Sequence, residues 1–250
     1  MNAELDLIKE EVEEYAQQLP PIPAGLKIPG AGELAGWIDH TLLKPEATSD
    51  QLKKLCREAN FYHFATVCVN PVNIPLVVDQ LARSGVGACA VVGFPFGATF
   101  PEIKAAEARQ AISAGATEID MVVNIGALKS GNFDLVMRDV KAVVEAVAGK
   151  GLVKVILEMC YLDFREKIAA CLICKHAGAD FVKTSTGFGS GGATVEDVTL
   201  MRRLVGEKMG VKAAGGIRTL ADSNKMILAG ANRLGASAGI SILQEAGYHE

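Results

Sequence analysis

Apolar and polar residues follow two different rhythms along this chain. At the N-terminus Leu5, Ile8, Val12, Tyr15 and Leu19 recur at spacings of three and four among acidic residues, which predicts an amphipathic helix over 1–19. Pro20-Pro-Ile-Pro23 ends it, and the Pro/Gly content up to about Gly32 predicts a linker. Beyond that point a second pattern repeats: a short apolar or β-branched run, a loop with Gly, Asn, Asp or Thr, then about a dozen residues of helical periodicity. The runs predict strands at 36–41, 63–69, 87–92, 118–123, 153–158, 180–183, 211–214 and 233–235. Helices are predicted at 49–60, 73–84, 101–114, 132–148, 163–177, 194–209, 219–229 and 237–246. Eight strand–helix units in about 215 residues predict an α/β fold, a (β/α)8 barrel, with an open doubly wound sheet as the alternative. The expected organisation is therefore an N-terminal helix and linker over 1–33, then one barrel domain over 34–250. The helix is expected to lie on the barrel or on a second subunit.

Composition narrows the function. A chain of 250 residues that is 50% hydrophobic can bury one large core. Its net charge of −4 offers no basic surface for nucleic acid, and no apolar run approaches the ~20 residues of a membrane span. Six cysteines lie scattered, mostly in apolar segments, and the N-terminus lacks a secretory pattern, so reduced thiols in a cytoplasmic protein are expected. Cys171 and Cys174 are three apart on one helical face, which reads as packing more than as a redox or metal pair.

A barrel carries its chemistry at the carboxyl ends of its strands. The polar residues there are Asp39 and Thr41, Cys68 and Asn70, Asp120 and Asn124, Lys154 and Glu158, Lys183, Lys212 and Ser237. A strand turns every second side chain inward, so Lys183 and Lys212 on neighbouring strands can face one interior. Two ammonium groups there repel, which favours a neutral amine able to form a Schiff base with a carbonyl. Lys183 is the candidate nucleophile because a glycine loop follows it, Lys212 the lasting cation, and Asp120 the proton carrier. The alternative is that Lys183 and Asp120 are a plain buried ion pair. The turns Gly187-Phe-Gly-Ser-Gly-Gly192, Gly215-Gly-Ile-Arg218 and Gly235-Ala-Ser237 together predict a phosphate site.

Eight stretches carry a resemblance: Asp39-His-Thr-Leu-Leu-Lys-Pro45, Val67-Cys-Val-Asn-Pro71, Val91-Val-Gly-Phe-Pro-Phe-Gly97, Glu118-Ile-Asp-Met-Val-Val-Asn124, Lys154-Val-Ile-Leu-Glu158, Phe181-Val-Lys-Thr-Ser-Thr-Gly187, Val211-Lys-Ala-Ala-Gly-Gly216 and Leu234-Gly-Ala-Ser237. From about residue 35 to the end the chain resembles the deoxyribose-phosphate aldolases. The resemblance implies a class I aldolase that reversibly cleaves 2-deoxy-D-ribose 5-phosphate to D-glyceraldehyde 3-phosphate and acetaldehyde, in deoxyribose phosphate catabolism, with no cofactor and no metal. It implies Lys183 as the Schiff-base lysine, Asp120 as the acid/base, and Lys212 as the lysine that lowers the pKa of Lys183. Asp39, Cys68 and Lys154 would line the pocket. Thr186, Gly187, Gly215, Gly216, Arg218, Gly235 and Ser237 would bind substrate, most of them at its phosphate. The implied partners are a small phosphorylated sugar and further copies of the chain, as a dimer or tetramer.

One departure is Ala213-Ala214 after Lys212, where many members carry proline or serine. Tyr248 could reach over the barrel mouth, although a frayed tail is the stronger expectation. Two other readings remain: an aldolase for a different phosphorylated sugar, and a phosphate-binding barrel without catalysis, against which the set Lys183, Asp120 and Lys212 argues.

Overall fold

A computed structural model of the chain describes residues 2–23 and 27–248. Its strands are β1 (Ile38–Leu42), β2 (Thr66–Val69), β3 (Gly87–Val92), β4 (Glu118–Val122), β5 (Leu152–Ile156), β6 (Phe181–Lys183), β7 (Gly210–Ala214) and β8 (Arg233–Ala236). They close in chain order, all parallel, with β8 paired to β1. The protein is a (β/α)8 barrel.

Its helices are α1 (Asn2–Gln17), α2 (Ala31–Leu34), α3 (Ser49–Tyr62), α4 (Ile74–Gln80), α5 (Pro101–Ser113), α6 (Ile125–Lys129), α7 (Phe133–Val147), α8 (Phe164–His176), α9 (Val195–Val205), α10 (Leu220–Ala229) and α11 (Gly239–Glu245). Thr48, Asn132, Asp163, Thr194 and Thr219 each accept a backbone N–H at a helix start, which stops the preceding loop at a defined residue. Differences from the sequence pattern lie at the ends. The second strand starts at Thr66 instead of 63 because His63 takes a left-handed conformation (φ 57°) that closes α3. Helix α9 stops at Val205, where Gly206 turns at φ 72°, and the short α2 and α6 carry no period long enough to read.

The outward faces of the strands bury Val67, Val69, Ile119, Val155, Val182 and Val211 under the helices. The inside of the barrel is divided. Leu43, Cys68, Cys89 and Val91 form one apolar cluster, while Asp39, Glu118, Asp120, Lys154, Lys183 and Lys212 fill the rest as buried charges.

Helix α1 packs on α8 of its own barrel and buries Leu5, Ile8 and Val12. Glu11 bonds His176 at 2.9 Å and Glu4 bonds Lys141 at 2.7 Å, so the acidic face meets basic partners on the barrel. Tyr248 neither covers the mouth nor hangs free. Half-buried, it lies 5.6 Å ring to ring from Tyr62, which ends α3 just before β2 begins, on the barrel end opposite the mouth.

Candidate active site

Register and parity assemble the centre. In the parallel ladder Asp120 pairs with Lys154, Lys183 with Lys212, and Lys212 with Arg233, so these side chains point to the same interior. Asp120 stands at its middle. Its Oδ1 accepts from Lys154 Nζ at 2.7 Å, and its Oδ2 accepts from both Lys183 Nζ and Lys212 Nζ at 2.7 Å. Cys89 Sγ donates to Oδ1 at 3.2 Å. The sequence picture of two lysines repelling one another is therefore incomplete, because a carboxylate is interposed and shared.

A second tier supports the first. Asp39 pairs with Lys212 and with Arg233, the latter at 2.7 Å, and Thr66 donates to it at 2.8 Å. Glu118 pairs with Lys154 at 2.5 Å and with Arg233 at 3.1 Å. Four cations (Lys154, Lys183, Lys212, Arg233) thus face three carboxylates (Asp39, Glu118, Asp120). Among the described residues Lys183 has one carboxylate partner, whereas Lys154 has three and Lys212 two. Glu118 and Arg233 were missed in the sequence. Period-two parity with Asp120 and with Gly235 was the signal that could have found them.

Burial alone would neutralise these groups, but the opposite charges outweigh it. Asp120 is desolvated, yet Lys154, Lys183 and Lys212 hold its carboxyl well below the usual range. The same contest, won by Lys212, Lys154 and Arg233, holds Asp39 low. Lys212 and Lys154 resist the pull of burial because Asp120, first among their partners, keeps each ammonium above its ordinary pKa. The Cys68 thiol is drawn down by the neighbouring Cys89 side chain, whereas burial pushes the Cys89 thiol up. Cys68, Cys89 and Asp120 present potential metal-ligand atoms within 4.8 Å of one another, but the Lys154 ammonium already occupies Asp120 and lies 3.5 Å from Cys89.

Above the charges opens a cavity of about 430 Å³ at the carboxyl ends of the strands. Lys183, Thr186, Gly187, Gly215, Gly216, Arg218, Gly235 and Ser237 all line it, with Thr41 to Lys44 on the β1 side. The loops after β6 and β7 are knitted together: Ala193 N–H donates to Gly215 O at 3.0 Å, and a Cβ on Gly192 would fall 2.3 Å from that oxygen. Asp39, Cys68 and Lys154 sit deeper than the cavity wall. They do not line the cavity but are wholly buried, Asp39 and Lys154 held beneath it by the ion pairs that close the barrel interior. Thr186 lines the cavity, yet its hydroxyl already donates to Glu158. A groove of about 450 Å³ between α8 and α9, lined by Phe164, Leu200 and the Lys167–Asp197 pair, lies outside the barrel and away from the charged centre.

A further buried pair holds the end of β4. Lys104 Nζ donates to Asp139 at 2.6 Å and to the Val122 carbonyl at 2.8 Å, and Asp139 accepts from Asn124 N–H at 3.1 Å.

Comparison with known proteins points to one family. The profile of the DeoC/LacD family aldolases matches residues 34–245. A deoxyribose-phosphate aldolase of Streptococcus gordonii is 59% identical over 212 residues, spanning 85% of this chain and 96% of that protein. One of Clostridium tetani is 59% identical over 213 residues, spanning 85% and 99%. The deoxyribose phosphate aldolase of Aeropyrum pernix, described as tetrameric, superposes with a TM-score of 0.80 at 36% identity over 86% of this chain and 91% of its own. With the cavity at the strand ends and these relatives matched along nearly their whole length, the chain belongs to the DeoC/LacD family of aldolases, among the deoxyribose-phosphate aldolases.

Proposed function

We propose that this enzyme cleaves 2-deoxy-D-ribose 5-phosphate reversibly to D-glyceraldehyde 3-phosphate and acetaldehyde through a Schiff base on Lys183. The observation that carries the reading is that Lys183, alone among the cluster's cations, both lines the cavity and touches Asp120. Lys212 is sealed below by Asp39 and Asp120 and serves as the cation that stays. The reacting form of Lys183 is the free amine, its proton released to solvent through the cavity. The amine adds to the C1 aldehyde of the open-chain sugar, and the carbinolamine expels its hydroxyl as water to leave an iminium. Acetaldehyde carries two carbons, so the bond that breaks is C2–C3. The C3 hydroxyl gives its proton to a base, the Asp120 carboxylate acting through a water. C3 becomes the aldehyde carbon of the three-carbon product, and the bonding pair moves to C2 to form the enamine. Protonation at C2 and hydrolysis release acetaldehyde and return Lys183. The glycine turns with Arg218 and Ser237 suit the phosphate at the far end of the cavity.

The test is borohydride reduction in the presence of acetaldehyde, followed by intact mass and peptide mapping. An ethyl group fixed on Lys183 is the expected result; folded protein without the adduct overturns the assignment, and an adduct on Lys44 or Lys212 moves the nucleophile there. The dimer or tetramer implied by the resemblance is proposed as well, and the tetrameric description of the Aeropyrum pernix relative supports it. Sedimentation velocity measures it directly.

A further inference from the structure

Glu158 lies just beyond β5 and is unused by the proposed reaction, yet the chain spends an unfavourable backbone on it. Its φ of 53° and ψ of 61° are left-handed, a region that L side chains rarely adopt and that persists where surrounding contacts over-determine it. The contacts are specific. The Leu157 N–H donates to Lys183 O at 2.9 Å and the Met159 N–H to Thr184 O at 3.0 Å, so the two neighbours of Glu158 are tied to the end of β6. Between them the side chain, 2% exposed, accepts from Thr186 N–H at 3.2 and 3.3 Å and accepts a hydrogen bond from the Thr186 hydroxyl. That hydroxyl in turn accepts from Phe188 N–H at 3.0 Å. Its donor and a principal acceptor site are both spent within the protein. The loop is moulded to the carboxylate: a Cβ on Gly189 would stand 3.1 Å from Glu158 Cδ and from Cys160 Sγ. Phe188 then meets Phe94 edge-on at 5.3 Å across the rim.

We infer that Glu158 is a positioning residue: its carboxylate braces Thr186, Gly187 and Phe188 into the lip that faces Gly215, Gly216 and Ser237 across the cavity, and so sets recognition of the substrate's phosphate. Thr186 serves this brace through its backbone N–H and its hydroxyl. The inference rests on the proposed phosphosugar reading of the cavity. Glu158 itself does not line the cavity, so it acts by placing backbone, not by touching substrate.

Steady-state kinetics on 2-deoxyribose 5-phosphate and on unphosphorylated 2-deoxyribose test it, using E158G, T186V and T186S. Glycine is at ease at a positive φ, so E158G is expected to fold while removing only the brace. E158G and T186V should raise KM for the phosphorylated sugar about tenfold or more with kcat nearly kept, and T186S should restore it. The loss on the unphosphorylated sugar should be several-fold smaller. Equal losses on both sugars, or no loss in E158G, overturn the inference; a harmful E158G beside a harmless T186V overturns the part given to the Thr186 hydroxyl. Failure of the underlying reading is separate, since it appears in the wild-type protein as no cleavage of the phosphosugar and no ethyl adduct on Lys183.

Discussion

Asp120→Asn changes one charge and almost no volume at the point where three ammonium groups meet. Each of the three contacts is 2.7 Å long. At an effective dielectric near 20, one such pair represents about 6 kcal/mol of gross Coulomb energy. Most of that is offset by the cost of burying the charges, and breaking a buried pair from one side costs a net ~3–5 kcal/mol. With Asn at 120, four cations face two carboxylates, and the lysines can relieve the imbalance only by losing protons. The sign of the pH dependence follows. In the wild-type protein Lys154 and Lys212 have raised pKa values, so their contribution is complete below the unfolded value near 10.5 and is lost only as pH rises toward the folded values. In the variant the folded state binds fewer protons than the unfolded state, so its stability rises between neutrality and about pH 10. Denaturant unfolding at pH 7 and pH 9.5 should therefore show a deficit of about 3–5 kcal/mol that narrows at the higher pH. Turnover should fall by about 10²–10⁴ through loss of the proposed acid/base. A deficit under about 1 kcal/mol, or one that widens with pH, refutes the electrostatic account.

Asp39→Asn should show the acidic counterpart. Because the folded carboxyl is held below its ordinary value, its contribution is complete above about pH 4 and lost as pH falls through the folded pKa, so the stability gap to wild type should stay constant from pH 7 to about 4 and shrink below. For the buried pair at the end of β4, Lys104→Met alone should cost about 3–5 kcal/mol in denaturant unfolding, and the double variant K104M/D139L should recover most of it; a double variant as weak as the single contradicts this. Ile8→Ala should cost about 2–4 kcal/mol by thermal unfolding while leaving kcat unchanged, since Ile8 is fully buried between α1 and the barrel but far from the cavity. Among the cysteines Cys160 is exposed and the other five are buried, with Cys171 and Cys174 pushed up by desolvation; brief iodoacetamide treatment of folded protein should label Cys160 first by peptide mapping.

Local pattern determined much of this protein. Period-two runs and period-3.6 stretches are consequences of which face each element buries, so the eight strand–helix units could be read before any contact was known. Parity within β4 and β6 turned Asp120 and Lys183 inward, and the glycine turns marked the rim that lines the cavity. What no local pattern contains is the partner of a buried charge. Asp120 meets Lys183 and Lys212 across 63 and 92 residues, and only closure of the barrel decides that one carboxylate oxygen serves both. Closure also decides depth: Asp39 and Lys154 share the inward parity of Lys183 but sit under it, because strand tilt and stagger set the height of each side chain. The same holds at the edges, where α1 settles on α8 and Tyr248 on Tyr62, choices made by apolar surface left open elsewhere on the folded barrel. Sequence spacing tells which way a side chain faces, whereas the energy of a buried charge depends on what else reaches the same few ångströms, and that is a property of the closed fold.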